Sequence, residues 1–280
     1  MSPEPAVLVE GLYYRYDPDE PALEGIDLTL ADNAYLGIIG QNGSGKTTLI
    51  KHFNGLLKPT SGRVQVYGVD TAQVSVGALS RTVGYVFQNP DHGIFCGSTR
   101  QEIAFGPRNL GLSEDETRER VADALEAFGL APYASTPPAV LGYGLRRLVS
   151  IAAVYAMRPR LLILDEPTAG LDERSTAELM RRVDAMHAAG HTIVLVSHDM
   201  QLVARHCHDL LVMDSGRLLA HGSPGQVFAR DDVLARANLA APAVTELAGR
   251  LRDAGLPGDV LSVEAFAEAY GRLLSEAGSR

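Results

Sequence analysis

The chain has 280 residues, of which 46% are hydrophobic and 21% are charged, so it can bury one large α/β core, with or without an appendage. Its formal net charge of −9 argues against a general nucleic-acid binder, and we expect no nucleic-acid partner. Two cysteines make no disulfide framework, no apolar run approaches the roughly 20 residues of a membrane helix, and the first residues lack the basic region of a signal peptide, so we expect a protein of the reducing cytosol.

The first part of the chain is rich in strand-forming residues. Residues 7–16 and 26–30 have the composition and alternation of half-buried strands, and a turn-forming segment, residues 17–21, separates them. Tyr16 ends the first strand beside this turn. Its ring is placed either to lie against a nucleotide base or to serve as an ordinary strand tyrosine, and the spacing does not choose between the two.

A glycine-rich loop follows the next predicted strand, residues 35–39, and precedes a predicted helix, residues 49–57. The loop consists of Gly40, Gln41, Asn42, Gly43, Ser44, Gly45, Lys46, Thr47 and Thr48, which complete the Gly-x-x-x-x-Gly-Lys-Ser/Thr pattern. Glycines let successive backbone N–H groups face an anion, and the helix N-terminus adds free donors and a positive dipole end. We expect Lys46 to contact the β- and γ-phosphates of a nucleotide and Thr47 to offer its hydroxyl to Mg²⁺.

Helices replace strands after another short strand, residues 82–87. This strand ends at Gln88, which is placed to reach a site at the strand ends. Ser113 and Glu116 have the spacing of a capping box ahead of an apolar stripe with helical periodicity. We therefore predict a helical subdomain, residues 89–150, inserted into the α/β core.

Two further buried strands end in ionisable residues. The apolar run 161–164 has the character of a central parallel strand, and it ends in Asp165 and Glu166. The run 192–196 is similar, and His198 follows it closely. Ligands of doubly wound sheets bind outside the carboxyl ends of the strands, so we expect these three side chains to share one site. An acid in the first position can hold Mg²⁺, and the second carboxylate can orient or deprotonate a water.

The last part of the chain is predicted to be an appendage. Asp172 is placed to cap a helix that ends near Gly190, and a hairpin signal follows at residues 210–220. From residue 222 onward the pattern is helical and rich in alanine. We divide the chain into a domain of residues 1–221 and a helical extension of residues 222–280, which we predict to serve packing or dimerisation.

Taken together, these segments resemble the ATP-binding subunits of ABC transporters over nearly the whole chain. The glycine-rich loop is similar to Walker A, and residues 163–166 are similar to Walker B. Gln88 looks like the Q-loop glutamine, Asp172 like the D-loop aspartate, and His198 like the switch histidine. Tyr16 stands where this family has an aromatic residue that stacks on adenine. The resemblance implies an α/β fold: a P-loop NTPase core with an antiparallel β subdomain, the inserted helical subdomain and the C-terminal helical extension.

The site roles that we predict combine the residue chemistry with this resemblance. Glu166 is expected to polarise the attacking water, and His198 to steady the γ-phosphate, while Gln88 joins both the catalytic and the metal sets. ATP is expected to lie on Tyr16, Gly40, Asn42, Gly43, Ser44, Gly45, Lys46, Thr47 and Thr48. Mg²⁺ is expected to lie on Thr47, Gln88 and Asp165.

Two stretches, residues 103–112 and 237–248, resemble the ATPases of energy-coupling factor importers, which take up cobalt, nickel or vitamins. This implies a peripheral ATPase on the cytoplasmic face of the membrane, with a transmembrane coupling protein and a substrate-binding membrane subunit. The rival hypothesis is a soluble ABC ATPase that acts on nucleic acid or ribosomes, and a third is an inactive regulatory subunit. The single ATPase half without a basic patch argues against the second, and the intact Glu166 and His198 argue against the third.

One motif departs from the family pattern. The signature, roughly Leu-Ser-Gly-Gly-Gln, is here Leu141, Gly142, Tyr143, Gly144 and Leu145. In this family the signature of one subunit closes over the γ-phosphate held by the other. Gly142 lacks the serine hydroxyl and Leu145 lacks the glutamine amide, which would cost on the order of 1.5–3 kcal/mol for each lost hydrogen bond to a charged group. We therefore favour a heterodimer with a second ATPase subunit of full signature over a homodimer.

Overall fold

The computed structural model describes residues 4–257 and 260–277. Its strands are β1 Val7–Asp17, β2 Glu20–Leu30, β3 Tyr35–Gly40, β4 Ser61–Val66, β5 Val69–Asp70, β6 Val83–Val86, β7 Leu161–Asp165, β8 Thr192–Val196, β9 Asp209–Asp214 and β10 Arg217–Gly222. Its α-helices are α1 Lys46–Phe53, α2 Val76–Leu79, α3 Thr99–Asn109, α4 Glu114–Ala127, α5 Tyr143–Tyr155, α6 Glu173–Ala188, α7 Met200–His206, α8 Pro224–Phe228, α9 Asp231–Arg236, α10 Ala243–Arg250 and α11 Val263–Ala277.

Two sheets build the α/β part. The first is antiparallel, in the order β2-β1-β4-β5. The second has the order β10-β9-β3-β8-β7-β6, and all its neighbouring strands are parallel except the β9–β10 hairpin. The carboxyl ends of β3, β6, β7 and β8 therefore meet along one edge, where the glycine-rich loop and the predicted ionisable residues follow their strands.

The central strands of the second sheet are buried on both faces. Every residue of β3, β7 and β8 is buried, as the uninterrupted apolar runs predict for central parallel strands. Successive residues of β3 pack into different cores: Ile38 joins the core formed with the antiparallel sheet and α1, whereas Ile39 joins the core under the helices. The sheet is thereby fixed between two layers, which holds its carboxyl edge rigid.

Three helices lie between β6 and β7 in the chain and pack on one another. α3 contacts both α4 and α5, and the predicted capping box at the start of α4 is confirmed. There the Ser113 Oγ accepts from the Glu116 N–H at 3.3 Å, and the Glu116 carboxylate accepts from the Ser113 N–H at 3.0 Å. Arg147 of α5 is fully buried.

Beyond β10 the described chain contains helices only, α8 to α11. α8 packs against β9 and β10, whereas α10 and α11 enclose a small apolar cluster of their own around Ala248 and Leu256. No helix among residues 4–257 and 260–277 is long and apolar enough to span a bilayer. The domain boundary at residue 221 and the dimerising role of the extension remain predictions.

Candidate active site

The glycine-rich loop joins β3 to α1 in a tightly enclosed turn. Gly45 caps the helix with φ +99°, a conformation that L side chains rarely adopt. A Cβ atom on Gly45 would also lie 2.9 Å from the Ala22 carbonyl oxygen, so no larger residue has room there. The turn of the β9–β10 hairpin supports the loop from outside, since the Gly216 N–H donates to the Ser44 carbonyl at 3.1 Å. The loop is therefore held in shape by the sheet.

Lys46 is the buried cation of this loop. Its Nζ donates to the carbonyl oxygens of Gly40 at 2.8 Å and Gln41 at 2.7 Å, which folds the side chain back over the loop. Burial lowers the pKa of Lys46, while Glu166 and Asp165 oppose this shift. The positive charge of Lys46 is therefore held over the glycine-rich loop. An anion bound to the backbone N–H groups of the loop would also meet this charge.

Asp165 ends β7 directly beside the start of α1. Its Oδ2 accepts from the Tyr85 hydroxyl at 2.9 Å and from the Thr47 hydroxyl at 3.3 Å. Burial raises the pKa of Asp165, and the Tyr85 and Thr47 hydrogen bonds counter this effect. The carboxylate of Asp165 and the hydroxyl of Thr47 thus form a pair of hard oxygen donors, which Mg²⁺ prefers.

Glu166 and His198 face each other across the ends of β7 and β8. His198 Nε2 lies 3.2 Å from Glu166 Oε1. Glu166 has φ +48°, a left-handed conformation that is uncommon for a residue with a side chain and often marks a functional position. Its N–H donates to the Val196 carbonyl at 3.0 Å, which ties the end of β7 to the end of β8.

The surroundings of this pair shift both side chains toward their neutral forms. Burial, the largest effect, raises the pKa of Glu166 to about 7, and Asp165 adds to the rise, while Lys46 and Arg147 oppose it. Burial also lowers the pKa of His198, and the charge of Lys46 lowers it further. A carboxyl whose pKa lies near the working pH is suited to general base chemistry.

A cleft of about 300 Å³ connects these groups. Among the predicted site residues it is lined by Tyr16, Asn42, Gly43, Gly45, Lys46, Thr47, Thr48, Gln88, Asp165, Glu166 and His198. Gly40 and Ser44 lie within the loop behind this lining. The structure therefore brings the predicted nucleotide, metal and catalytic residues into one cavity.

Tyr16 lines the cleft beside the end of the glycine-rich loop. Its side chain is 54% exposed, its hydroxyl lies 3.2 Å from Thr48 Oγ1, and its ring meets Tyr14 edge-on with centroids 5.0 Å apart. A flat, exposed ring beside the phosphate loop is compatible with either interpretation of Tyr16 from the sequence.

The residues present fit a nucleotide and its Mg²⁺. The Ser44 side chain is only 3% exposed, yet its Oγ has no hydrogen-bond partner among the described residues, so the loop holds a polar atom that a phosphate oxygen would satisfy. Thr47, Asp165 and Gln88, which carry side-chain oxygen atoms, all line the cleft. Bound Mg²⁺ would neutralise phosphate charge there.

Comparisons with known proteins agree with this geometry. The ABC transporter domain family matches residues 23–169. The chain is 40% identical over 278 residues to the energy-coupling factor transporter ATP-binding protein EcfA2 of Caldanaerobacter subterraneus subsp. tengcongensis, covering 96% of this chain and 97% of the relative. It is 42% identical over 238 residues to another ABC transporter ATP-binding protein of that organism, covering 85% of this chain but only 42% of that longer relative.

The solved structure of CbiO1 from Clostridium perfringens, described as part of the ABC transporter complex CbiONQ, is also similar. It superposes with a TM-score of 0.75 at 37% identity, covering 89% of this chain and 99% of CbiO1. This chain belongs to the ABC transporter family of ATP-binding proteins. Within that family it belongs with the energy-coupling factor ATP-binding proteins, as its residues 103–112 and 237–248 predict.

The five residues of the ABC signature segment, Leu141, Gly142, Tyr143, Gly144 and Leu145, do not line this cleft. Gly142 is the N-cap of α5 in an extended conformation, and no side chain caps the helix there. Tyr143 packs against the segment after β7. Its ring lies so close to Gly170 that a Cβ atom built on that glycine would be 3.1 Å from the ring. The role of this segment toward a partner's nucleotide remains a prediction.

Asp172, the predicted D-loop residue, is the N-cap of α6, as the sequence predicts. Its Oδ1 accepts from the Ser175 N–H at 2.7 Å. It lies outside the lining of the cleft, and its role between ABC subunits remains a prediction.

Two residues of the site were missed by sequence reasoning. Tyr85 of the neighbouring strand donates a hydrogen bond to Asp165, and Arg147 donates to backbone carbonyls in the segments after β6 and β7. The parallel pairing of β6 with β7 sets Tyr85 opposite Ile163, two residues before Asp165 on the neighbouring strand. Arg147 gave no such signal, because a basic pair near a helix start is ordinarily exposed.

Proposed function

We propose that this chain hydrolyses ATP and that the hydrolysis powers the uptake of a small solute, such as a metal ion or a vitamin, through an importer of the energy-coupling factor type. The observation that carries the ATPase role is the shared cleft, in which Lys46, Asp165, Glu166 and His198 converge beside the glycine-rich loop. The transport role is supported by the similarity to EcfA2 and to CbiO1.

Each residue of the cleft has a role in this proposal. Backbone donors of the loop and Lys46 bind the phosphates, and Tyr16 stacks on the base. Thr47 and Asp165 would hold Mg²⁺, with Gln88 completing the set. Glu166 takes a proton from the attacking water, and His198 donates a hydrogen bond to the γ-phosphate as charge develops on it.

The assembly that we propose has three further components. A second ATPase subunit supplies the signature over this chain's nucleotide, and we favour a heterodimer because Gly142 and Leu145 lack the polar groups of the family pattern. A transmembrane coupling protein receives the movement, and a substrate-binding membrane subunit selects the solute. The chain would then be a peripheral protein on the cytoplasmic face of the membrane.

The catalytic part is tested by ATP hydrolysis of the purified chain, alone and with proteins that co-purify with it from membranes. Glu166→Gln should abolish turnover and retain nucleotide binding, because it removes the base but keeps the volume of the side chain. Glu126→Gln makes the same change on the exposed face of α4 and should leave turnover unchanged. Equal turnover of all three proteins would overturn the role of Glu166.

The assembly is tested by isolating a tagged chain from membranes and determining which proteins accompany it. Recovery of a second ATPase and of membrane proteins in a fixed ratio supports the importer and the heterodimer. A complex with two copies of this chain and full turnover would reject the heterodimer. Recovery of nucleic acid or ribosomes instead of membrane proteins would favour a soluble ABC ATPase.

A further inference from the structure

Arg147 is a fully buried cation with no carboxylate partner. It lies in the second turn of α5, its exposure is 0%, and it is among the largest fully buried side chains. None of the ion pairs between described residues includes it. Burial lowers the pKa of its guanidinium, which the charges of Asp165 and Glu166 partly counter. A charge in such a place is costly unless hydrogen bonds replace its hydration.

The guanidinium is bonded to backbone carbonyls of two separate loops. Its Nη1 donates to the Phe87 carbonyl at 2.6 Å, and its Nη2 donates to the Gln88 carbonyl. Nη2 also lies 3.3 Å from the Glu166 carbonyl and 3.1 Å from the Tyr143 hydroxyl. One side chain of α5, the signature helix that begins within the signature segment, thereby holds the loop after β6 and the end of β7.

Both loops carry residues of the proposed reaction. Gln88 lines the cleft, and Glu166 has the left-handed backbone described above, so the direction of its side chain depends on how that backbone is held. The Glu166 carbonyl also accepts from the Ala169 N–H at 3.2 Å, but among the described residues Arg147 is the one side chain that also donates to the carbonyls of Phe87 and Gln88. The planar guanidinium has several donors in a fixed arrangement, which a lysine ammonium does not reproduce.

Stability alone gives a poor account of this residue. The Nε of Arg147 is buried and has no acceptor among residues 4–257 and 260–277, so the interactions of the charge are incomplete. Buried charges replaced by apolar groups of similar volume often leave a protein equally or more stable. The arrangement is better explained by a requirement for the position of the two loops.

We propose that Arg147 is a positioning residue that holds Glu166 and Gln88 in the geometry for hydrolysis, and that it links the signature helix to the chain's own nucleotide site. The proposal rests on the proposed ATPase function. Tyr143 extends the link, because its hydroxyl meets Arg147 and its ring packs against Gly170. A shift of the loops on nucleotide binding would be passed to the segment that faces the partner.

The test compares four full-length proteins: the wild type, Arg147→Gln, Arg147→Lys and the control Arg120→Gln. Each is assayed alone or with its co-purifying partners, whichever preparation of the wild type hydrolyses ATP. Arg120 also donates to a backbone carbonyl, that of Met157 at 3.0 Å, but it does so within the helical region. The measurements are kcat and KM for ATP, equilibrium affinity for a fluorescent ATP analogue, and the melting temperature.

We expect Arg147→Gln to lower kcat by about 10²-fold, as displacement of a catalytic group by about 1 Å does, while KM and analogue affinity stay within about threefold. Arg147→Lys should recover only part of kcat, since it keeps the charge but not the set of donors. Arg120→Gln should keep the wild-type kcat.

Three outcomes would overturn the inference. The first is an Arg147→Gln protein with wild-type kcat, and the second is a parallel loss of kcat, analogue affinity and melting temperature. The third outcome applies if Arg147→Gln does not fold. Arg147→Lys is then the deciding variant, and a wild-type kcat for it would overturn the inference. A wild-type chain that binds ATP without turnover, with or without its co-purifying partners, would instead overturn the proposed function itself.

Discussion

Nε2 of His198 lies 3.2 Å from Oε1 of Glu166, across the ends of two adjacent parallel strands. The pKa of Glu166 is raised and that of His198 is lowered, so the two need not form a fixed ion pair near neutral pH. A pair without a fixed charge can exchange its mutual contact for contacts with a water molecule and a phosphate. The role of His198 in hydrolysis can therefore be tested by substitution in the same way as that of Glu166.

His198→Ala is expected to lower kcat for ATP hydrolysis by about 10²-fold, the typical loss when one donor to a developing charge is removed. Nucleotide affinity should change little, because the loop and Lys46 keep their contacts. His221→Ala, an exposed change on β10, is the matched control for steady-state kinetics. A His198→Ala protein with unchanged kcat would remove this residue from the mechanism.

Glu166 should make the stability of the nucleotide-free protein depend on pH. Its pKa is about 7 in the folded chain against an ordinary value of 4.5, so the protonated carboxyl is favoured by folding. Its contribution is fully present below pH 4.5 and is lost as the pH rises through 7, as linkage requires. Above pH 8 the loss is on the order of 1–2 kcal/mol, once solvent screening at the open cleft is allowed for.

The measurement is urea unfolding of the wild type and Glu166→Gln between pH 5 and pH 8.5, without nucleotide or metal. We expect Glu166→Gln to gain stability relative to the wild type as the pH rises, since glutamine stays neutral. A difference between the two proteins that is constant over this range would show that the carboxyl is not protonated in the folded state.

Tyr85→Phe is expected to weaken the binding of Mg²⁺ selectively. Loss of the 2.9 Å hydrogen bond would leave Asp165 less well oriented, and removal of such a supporting group weakens metal binding by about tenfold or more. The Mg²⁺ concentration that gives half-maximal hydrolysis should rise accordingly. Tyr67→Phe, which removes a hydroxyl bonded to Asp32 at 2.8 Å, is the control. Identical Mg²⁺ titrations for both variants would contradict the prediction.

Gly142→Ser should be tolerated, and it should raise hydrolysis at the nucleotide site that this chain's signature segment faces. The backbone of Gly142 has φ −61° and ψ 157°, and a Cβ there would meet nothing within 4 Å. The serine would cap α5 and stabilise the fold by about 0.3 kcal/mol, the small difference between Gly and Ser caps. If two copies of this chain pair, the new hydroxyl should raise hydrolysis by about tenfold. Gly249→Ser, at an open position of α10, is the control, and equal rates for the two variants would show that the missing hydroxyl does not limit this chain.

The sequence predicted most of what depends on local pattern. The strand before the glycine-rich loop, the capping box of α4 and the Asp172 cap are confirmed, because spacing and side-chain chemistry determine them. The convergence of Lys46, Asp165 and His198 could be expected from the parallel sheet, which gathers the strand ends at one edge.

Contacts between distant segments could not be predicted in the same way. Arg147 stands beside Arg146, yet Arg147 is buried against backbone carbonyls some 60 and 19 residues away, whereas Arg146 meets Asp91 near the surface. Backbone carbonyls have no signature in a sequence, so nothing marks the residue that binds them. The role of Tyr16 could not be predicted either. Its two interpretations, a ring against a nucleotide base and an ordinary strand tyrosine, place the residue in the same fold and differ only in whether a ligand lies against the ring.

The position of β3 also bears on how the protein is made. β3 carries the glycine-rich loop near the start of the chain, but its two neighbours, β8 and β9, leave the ribosome some 150 to 170 residues later. Partners so far apart in sequence pair slowly, and the N-terminal segment must wait for them during synthesis. A nascent chain that ends before Asp209 would therefore lack one wall of the loop, and nucleotide capture becomes possible only late in translation.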